Sequence, residues 1–328
     1  MRKNTIFYWF IGSKKIEDTY YRELIGRKDV VFIYKDNAFT NPFMNFLFKI
    51  FFSQKVNSRI RMPFKKSFFK CLLKNHKIEN KYTSILIFHE GWFDKDISVF
   101  LRKNFNLATS ILYFDDTIET YSKAIPSLNP LLLNSQYNFV LVYNPEDAQK
   151  YGFIHVDACF SRFGNLTNEH DISSDICFIG QPKDRLSLLL DIHSYLCNKC
   201  KCDFVIVDKS NSGENGLEFT TKYMTYEDYL KREVSSNCIL ELLKSDTGGS
   251  TFRCWEAVYY NKKLLTNWKG IFSFKYYDSR YMRYFEKPED IDIAFLTTKE
   301  RVDYHYNGDN SPSSFLERII DILNKGKV

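Results

Sequence analysis

At 328 residues, with 44% hydrophobic and 26% charged positions, the chain has the make-up of a globular protein long enough for two ordinary domains, each with its own core. The formal charge is +6, but nine of the 46 Lys and Arg fall between Phe43 and Lys77, where there is no Asp or Glu; elsewhere 37 basic residues stand against 40 acidic ones. A window of roughly eighteen uncharged apolar residues is missing, which argues against a transmembrane helix, and the eight cysteines have no framework spacing. The N-terminal MRKNTIFYWFIG lacks a secretory signal's long apolar core and small-residue cleavage site. A reducing cytoplasm is the expected compartment.

In chain order, Asn4 to Ile11 reads as a strand, Lys15 to Ile25 as a helix and Asp29 to Tyr34 as a second strand, a βαβ opening with a parallel pair. No G-x-G-x-x-G follows the first strand, so a dinucleotide-binding dehydrogenase loses ground. Phe43 to Lys77 carries eight Phe among its basic residues. Phe64, Phe68, Phe69 and Leu72 fall at helical spacing, with Lys65, Lys66, Lys70 and Lys74 largely elsewhere. Such a basic amphipathic stretch suits the surface of an anionic membrane, and equally suits a helix that packs its Phe face on a sheet and solvates its lysines. The core-like spacing, without any RNA-binding motif, speaks against nucleic acid as a partner.

Thr83 to Phe88 predicts a strand that delivers His89 and Glu90 at its carboxyl end, followed by a helix from Asp94 to Asn104. Leu107 to Phe114 predicts the next strand, followed by Asp115 and Asp116. Polar side chains just beyond strand ends are placed to meet a substrate, and an acceptor hydroxyl needs a general base within hydrogen-bond reach. His89, Asp94 and Asp115 are the catalytic candidates, although a strand-end histidine and solvated acids fit the same pattern. Ser135 to Tyr143 is a strand, Pro145 to Tyr151 a helix capped by Asn144, and Ile154 to Phe160 ends the first sheet. The expected domains are 1–165 and 170–328.

In the second domain Asp175 to Gly180 is a strand, Leu186 to Asn198 a helix, Asp203 to Val207 a strand and Tyr226 to Val234 a helix. Cys197, Cys200 and Cys202 have only His193 nearby as a fourth zinc ligand, and no metal is expected. The most informative stretch is Ser235 to Asn267. Asn237 to Leu243 reads as a buried strand, Lys244 to Gly249 as a polar turn, Ser250 to Tyr260 as a helix and Lys263 to Thr266 as another strand. A helix starting at the carboxyl end of a strand points unpaired N–H groups and its positive dipole end at a ligand. Gly249, Ser250 and Thr251 would take a diphosphate, with Arg253 beside it and Glu256, three residues on, at the ribose. The same spacing fits an ordinary cap and an Arg–Glu pair on a solvated face. Lys183 and Arg185, in the turn after the strand Asp175 to Gly180, would add cations to the same place.

Thr251, Arg253, Glu256, Ala257, Lys262, Lys263, Leu264, Leu265, Thr266 and Asn267 reproduce a T-x-R-x-x-E-A helix followed by K-K-L-(I/L)-T-(T/N)-N. That pattern resembles the C-terminal domain of bacterial GT-B-type glycosyltransferases of the lipopolysaccharide and spore-coat polysaccharide group. Asn144 to Ala148 with Lys150-Tyr151-Gly152 is similar to the family's F-x-P-E-D-A-x-K-Y-G segment, and Tyr113 to Thr117 to its Y-x-W-D-S motif. Phe114, Thr117 and Gly248-Gly249-Ser250 depart from the pattern, and the resemblance covers about residues 110 to 290. It implies an α/β fold of two doubly wound Rossmann-like domains facing across a cleft. It also implies transfer of a sugar from a nucleotide-activated donor to a bacterial surface glycan (lipopolysaccharide core, O-antigen or capsule), with no resident cofactor and no metal. A lipid-linked acceptor would place the enzyme peripherally at the inner membrane face through Phe43 to Lys77. The alternatives are a catalytically silent nucleotide-sugar or glycan-binding protein of the same fold, and a phosphoglycosyl or pyruvyl transferase on a similar one.

Overall fold

The computed structural model describes residues 4–57, 60, 62–164, 166, 172–208, 217–243 and 250–325. The chain divides into two compact units, Met1–Ser161 with Asn310–Val328, and Arg162–Asp309. Each is built on one six-stranded sheet whose pairings are all parallel.

In the first unit the strands are β1 (Ile6–Ile11), β2 (Val30–Tyr34), β3 (Ser84–His89), β4 (Thr109–Phe114), β5 (Phe139–Val142) and β6 (Ile154–His155). Their order is β2-β1-β3-β4-β5-β6, so the chain changes direction across the sheet between β1 and β3. Residues alternate between the faces of β1. Tyr8 and Phe10 enter one core with Phe48, Phe69, Phe88 and Leu112, while Phe7, Trp9 and Ile11 enter the other with Ile87, Tyr113 and Phe315. Both faces are covered, as a parallel sheet requires.

The basic Phe-rich stretch forms two main helices, Pro42–Phe51 and Lys65–Asn75, joined through a turn at Gln54–Asn57. Asn41 caps the first by accepting from the Met44 N–H at 3.1 Å, with Pro42 at the first helical position, where its missing N–H costs nothing. Phe48, Phe52, Phe69, Leu72 and Leu73 pack into the core. Phe43, Phe46 and Phe64 remain 66%, 58% and 72% exposed, so the stretch serves the core and also keeps an aromatic, lysine-bearing surface.

The last helix corrects the expected domain limits. A final helix from Ser314 to Asn324 is expected to complete the second domain; it spans Pro312–Lys325 and belongs to the first unit. Its Phe315 stacks on Trp9, with ring centroids 5.5 Å apart, and Leu316 and Ile319 join the same core. Burying each of these side chains contributes about 1.5–3 kcal/mol, which outweighs any preference for the nearer sheet in sequence. Asn310 fixes the approach by donating to the Ala158 carbonyl at 2.6 Å.

The second unit contains β7 (Ser174–Gly180), β8 (Cys202–Val207), β9 (Glu218–Thr220), β10 (Ser236–Glu241), β11 (Lys263–Thr266) and β12 (Met282–Tyr284). The order β12-β11-β10-β7-β8-β9 places the first strand in the middle and reverses between β7 and β10. This is a doubly wound arrangement with its switch point between those two strands. Lys263 is wholly buried and still satisfied, donating to the carbonyls of Phe295 (2.9 Å) and Thr298 (2.7 Å) and pairing with Glu300 (2.8 Å). Among the described residues no helix is long and apolar enough to cross a membrane.

Candidate functional site

Each sheet gathers polar groups at the carboxyl end of its strands, where doubly wound folds receive ligands. In the second unit the gathering point is the switch between β7 and β10. Arg185 lies in the turn Lys183–Arg185 after β7. Its Nη2 donates to the Gln181 carbonyl (2.9 Å) and its Nε to that of Pro182 (3.3 Å), while Nη1 crosses to the Leu242 carbonyl just beyond β10. Arg253, in the first turn of the helix Phe252–Tyr259, donates through Nη2 to the Ile179 carbonyl of β7. A Cβ on Gly180 would stand 3.1 Å from that same nitrogen, so the glycine is what admits the guanidinium. Burial and then the Arg253 charge depress the Arg185 pKa, while against its own burial the Arg253 pKa is held up by Tyr229 and the acids Glu233, Glu256 and Glu241. A pair of crowded cations fixed to strand ends is a place that favours an anion.

Beneath them lies a buried acidic layer that sequence reading missed. Glu233 is 0% exposed, and its carboxylate stands 3.5 Å from Arg253 Nε and accepts from the Tyr229 hydroxyl at 2.7 Å. Glu256 is 1% exposed, accepts from the Tyr226 hydroxyl at 2.7 Å and lies 2.9 Å from the Tyr229 hydroxyl, whose single proton can serve only one of the two carboxyls at a time. Burial raises the pKa of both carboxyls, and at Glu233 the adjacent Glu256 charge raises it further. This corrects the placement of Glu256 at a ribose: its oxygens face tyrosines in the interior, and Arg253 pairs with Glu233 instead. Glu241, at the end of β10, is equally enclosed. It accepts from Thr251 Oγ1, from Thr266 Oγ1 at 2.7 Å and from the Cys254 thiol at 3.3 Å. A lone charged residue inside the apolar run Cys238 to Leu243 was the signal in the sequence.

The remaining expected donor residues fall around this frame. Thr251 is the N-cap of the helix, accepting from the Arg253 N–H at 3.2 Å, so the helix starts at Phe252 rather than at Ser250. Ser250 is half-buried directly before it. Lys183 is exposed in the turn after β7, with φ at 50°. Gly249 lies outside the described residues, as does the rest of the turn 244–249.

In the first unit His89 and Asp115 do come together, at the ends of the adjacent strands β3 and β4. His89 is 4% exposed, its Nε2 lies 3.2 Å from the Tyr21 hydroxyl, and burial pushes its pKa down to about 4, which keeps the imidazole neutral at pH 7. Glu90 opens the turn Glu90–Trp92, and burial together with the Asp115 charge pushes its pKa up to about 8. Glu17 joins them from the segment after β1; burial and Asp115 raise its pKa to about 7. Asp115 itself is half-buried and accepts from the Tyr121 hydroxyl. Among the described residues, His89, Glu90 and Asp115 are the group with metal-ligand character, each offering one ligand atom within 4.8 Å of the others. Asp94 does not share in this cluster. It caps the helix Lys95–Asn104, accepting from the N–H groups of Asp96 and Ile97, and pairs with the buried Lys65 at 2.6 Å, which makes it a structural acid rather than a catalytic one.

No family model matches the chain, and no curated protein matches it. Solved structures match over almost its whole length. The apo structure of OtsA gives a TM-score of 0.56 at 9% identity, over 97% of this chain and 99% of that one. An α,α-trehalose-phosphate synthase (UDP-forming) from Burkholderia xenovorans, in complex with glucose-6-phosphate, gives 0.56 at 8% identity, over 98% of this chain and 100% of that one. Alr3699/HepE of Anabaena, in complex with UDP and glucose, gives 0.55 at 10% identity, over 98% and 99% of the two chains. At such identities the similarity shows the fold: two doubly wound Rossmann-like α/β units, the GT-B architecture.

Proposed function

We propose that this chain is a glycosyltransferase that takes its sugar from a nucleotide-activated donor. The observation that carries the reading is the pair Arg185 and Arg253, fixed by backbone carbonyls at the β7/β10 switch point of the second unit. A departing nucleoside diphosphate develops negative charge, and two oriented guanidinium groups that need no reorganisation stabilise it. Ser250 and Lys183 would complete the diphosphate site, while Thr251, its hydroxyl already donating to Glu241 and accepting from the Arg253 N–H, would contribute only through the helix start it caps. Structures of the same fold support the reading, one being a UDP-forming synthase and another holding UDP and glucose. The acceptor belongs on the first unit, at the ends of β3 and β4 near His89 and Asp115.

The finer reading is a bacterial surface glycan as acceptor and a cytoplasmic enzyme held peripherally at the inner membrane face. The exposed Phe43, Phe46 and Phe64 among lysines support it, because aromatic rings with near-surface cations suit an anionic leaflet, each Lys contributing about 1 kcal/mol. The nucleotide sugar is a substrate, and no resident cofactor is proposed on the donor side.

A thermal-shift screen against UDP, GDP, CDP and their sugars tests the proposal, with Arg185→Ala beside the wild type. A ligand at a hundred times its Kd adds about 2.7 kcal/mol of stability. Stabilisation by one nucleotide that fails in the variant, followed by release of that nucleotide from its sugar, is the expected result. Stabilisation without any turnover would replace the transferase with a nucleotide-sugar-binding protein of the same fold. No stabilisation by any of them would remove the donor site from β7 and β10.

A further inference from the structure

The cluster at the ends of β3 and β4 holds an unmet demand for a cation. Glu90 Oε2 is closed to solvent and, among the described residues, accepts no hydrogen bond. Lys35, the cation that Glu90 acts on, donates its ammonium to the Gly91 carbonyl instead. Glu17 and Asp115 add negative charge beside Glu90 rather than relieving it. His89 is buried and tied at Nε2 to the Tyr21 hydroxyl. With Tyr21 accepting the Nε2 proton, Nδ1 keeps its lone pair, and a hydroxyl partner on the far nitrogen is the kind of support that orients a ligating imidazole. Tyr121 engages Asp115 Oδ1 and leaves Oδ2.

We propose that His89, Glu90 and Asp115 bind a divalent cation of the Mn2+ class. One imidazole and two carboxylates form a mixed nitrogen and oxygen set suited to such an ion. Their ligand atoms already lie within 4.8 Å of one another. In an octahedral site with bonds near 2.1 Å, neighbouring ligand atoms stand about 3 Å apart and opposite ones about 4 Å, so binding needs a contraction on the order of 1 Å. The half-buried Asp115, unlike the buried His89, keeps contact with solvent, and three protein ligands leave positions for water or a substrate hydroxyl. This departs from the metal-free expectation drawn from the sequence resemblance, and it stands independently of the transfer reading.

The probe is Mn2+ added to the full chain after chelator treatment. A thiophilic ion is avoided because Cys200 and Cys202 hold their sulfurs 3.9 Å apart. Electron paramagnetic resonance should show saturable binding of one Mn2+ per chain, and electron spin-echo modulation should show an imidazole nitrogen coupled to it. Asp115→Asn and Glu90→Gln, which keep shape while removing charge, should each weaken binding by roughly 10- to 100-fold. Circular dichroism and the melting temperature of Asp115→Asn, which keeps an acceptor oxygen for Tyr121, establish that the variant is folded before its affinity is read. Absence of saturable binding at millimolar Mn2+, absence of the nitrogen coupling, or unchanged affinity in Asp115→Asn would overturn the assignment.

Discussion

Arg253 Nε lies 3.5 Å from the carboxylate of Glu233, a fully buried acid of the second unit. The pair ties the candidate anion site to the interior beneath it. Removing the arginine leaves Glu233 without its cation, a loss that costs up to about 3–5 kcal/mol for a buried pair and falls at the lower end where the carboxyl can take up a proton instead. Arg253→Met should therefore lower the urea midpoint clearly more than Glu233→Gln does. Equal losses would show that the pair contributes little.

The raised pKa values of Glu233 and Glu256 set a direction for pH dependence. Between the ordinary carboxyl value, about 4.3, and the raised folded values, the native state holds more protons than the unfolded chain. Stability then falls as pH rises through that window. Urea midpoints measured from pH 5 to pH 8 should decline, and Glu233→Gln, which cannot ionise, should flatten the slope. A slope that survives the substitution would assign the dependence elsewhere.

Gly180→Ala tests the placement of Arg253 without touching a charge. The added methyl would meet Arg253 Nη2 at 3.1 Å, tighter than ordinary contact. The guanidinium must give by a few tenths of an ångström against its bond to the Ile179 carbonyl, so binding of the nucleotide found in the screen should weaken while the melting temperature changes little. Undiminished binding would show that the exact seat of Arg253 is immaterial.

Thr266 donates to Glu241 Oε2 at 2.7 Å and accepts from the Trp268 N–H at 3.0 Å. Thr266→Val keeps the shape and removes both bonds, leaving a buried carboxylate oxygen short of a donor at a cost of about 1–3 kcal/mol. Thr266→Ser should recover most of the loss. Denaturation of the two variants side by side separates the hydroxyl's effect from packing.

Phe43 and Phe46 stand three apart on one helix and Phe64 sits at the start of the next, with φ at 60°, an uncommon setting for a bulky residue. Changing all three to Ser should leave stability near that of the wild type, because they are exposed. Co-sedimentation with vesicles rich in anionic lipid should drop in the variant, and high salt should weaken it in the wild type. Equal sedimentation of variant and wild type would remove the membrane from this surface.

Local rules carried the sequence reading a long way. Alternation and apolar runs located most of the strands, and the helix Pro145–Tyr151 with its Asn144 cap is legible because Asn, Pro and two acids in order are a helix start in themselves. Arg185 and Arg253 were also readable, since a cation just past a strand end in a βα turn is placed by chain order alone. Depth was not readable. Glu256 and Arg253 share a helix and differ by three positions, but only the packing of Tyr226 and Tyr229 sends one inward and holds the other at the strand ends. Asp94 likewise looks the same in sequence as Asp115, and becomes a structural cap because Lys65 arrives from another helix. Spacing along the chain determined which residues could meet at each switch point. Long-range contacts such as Phe315 on Trp9, and the dielectric they create around each charge, decided which of those residues are buried, paired or left for a ligand.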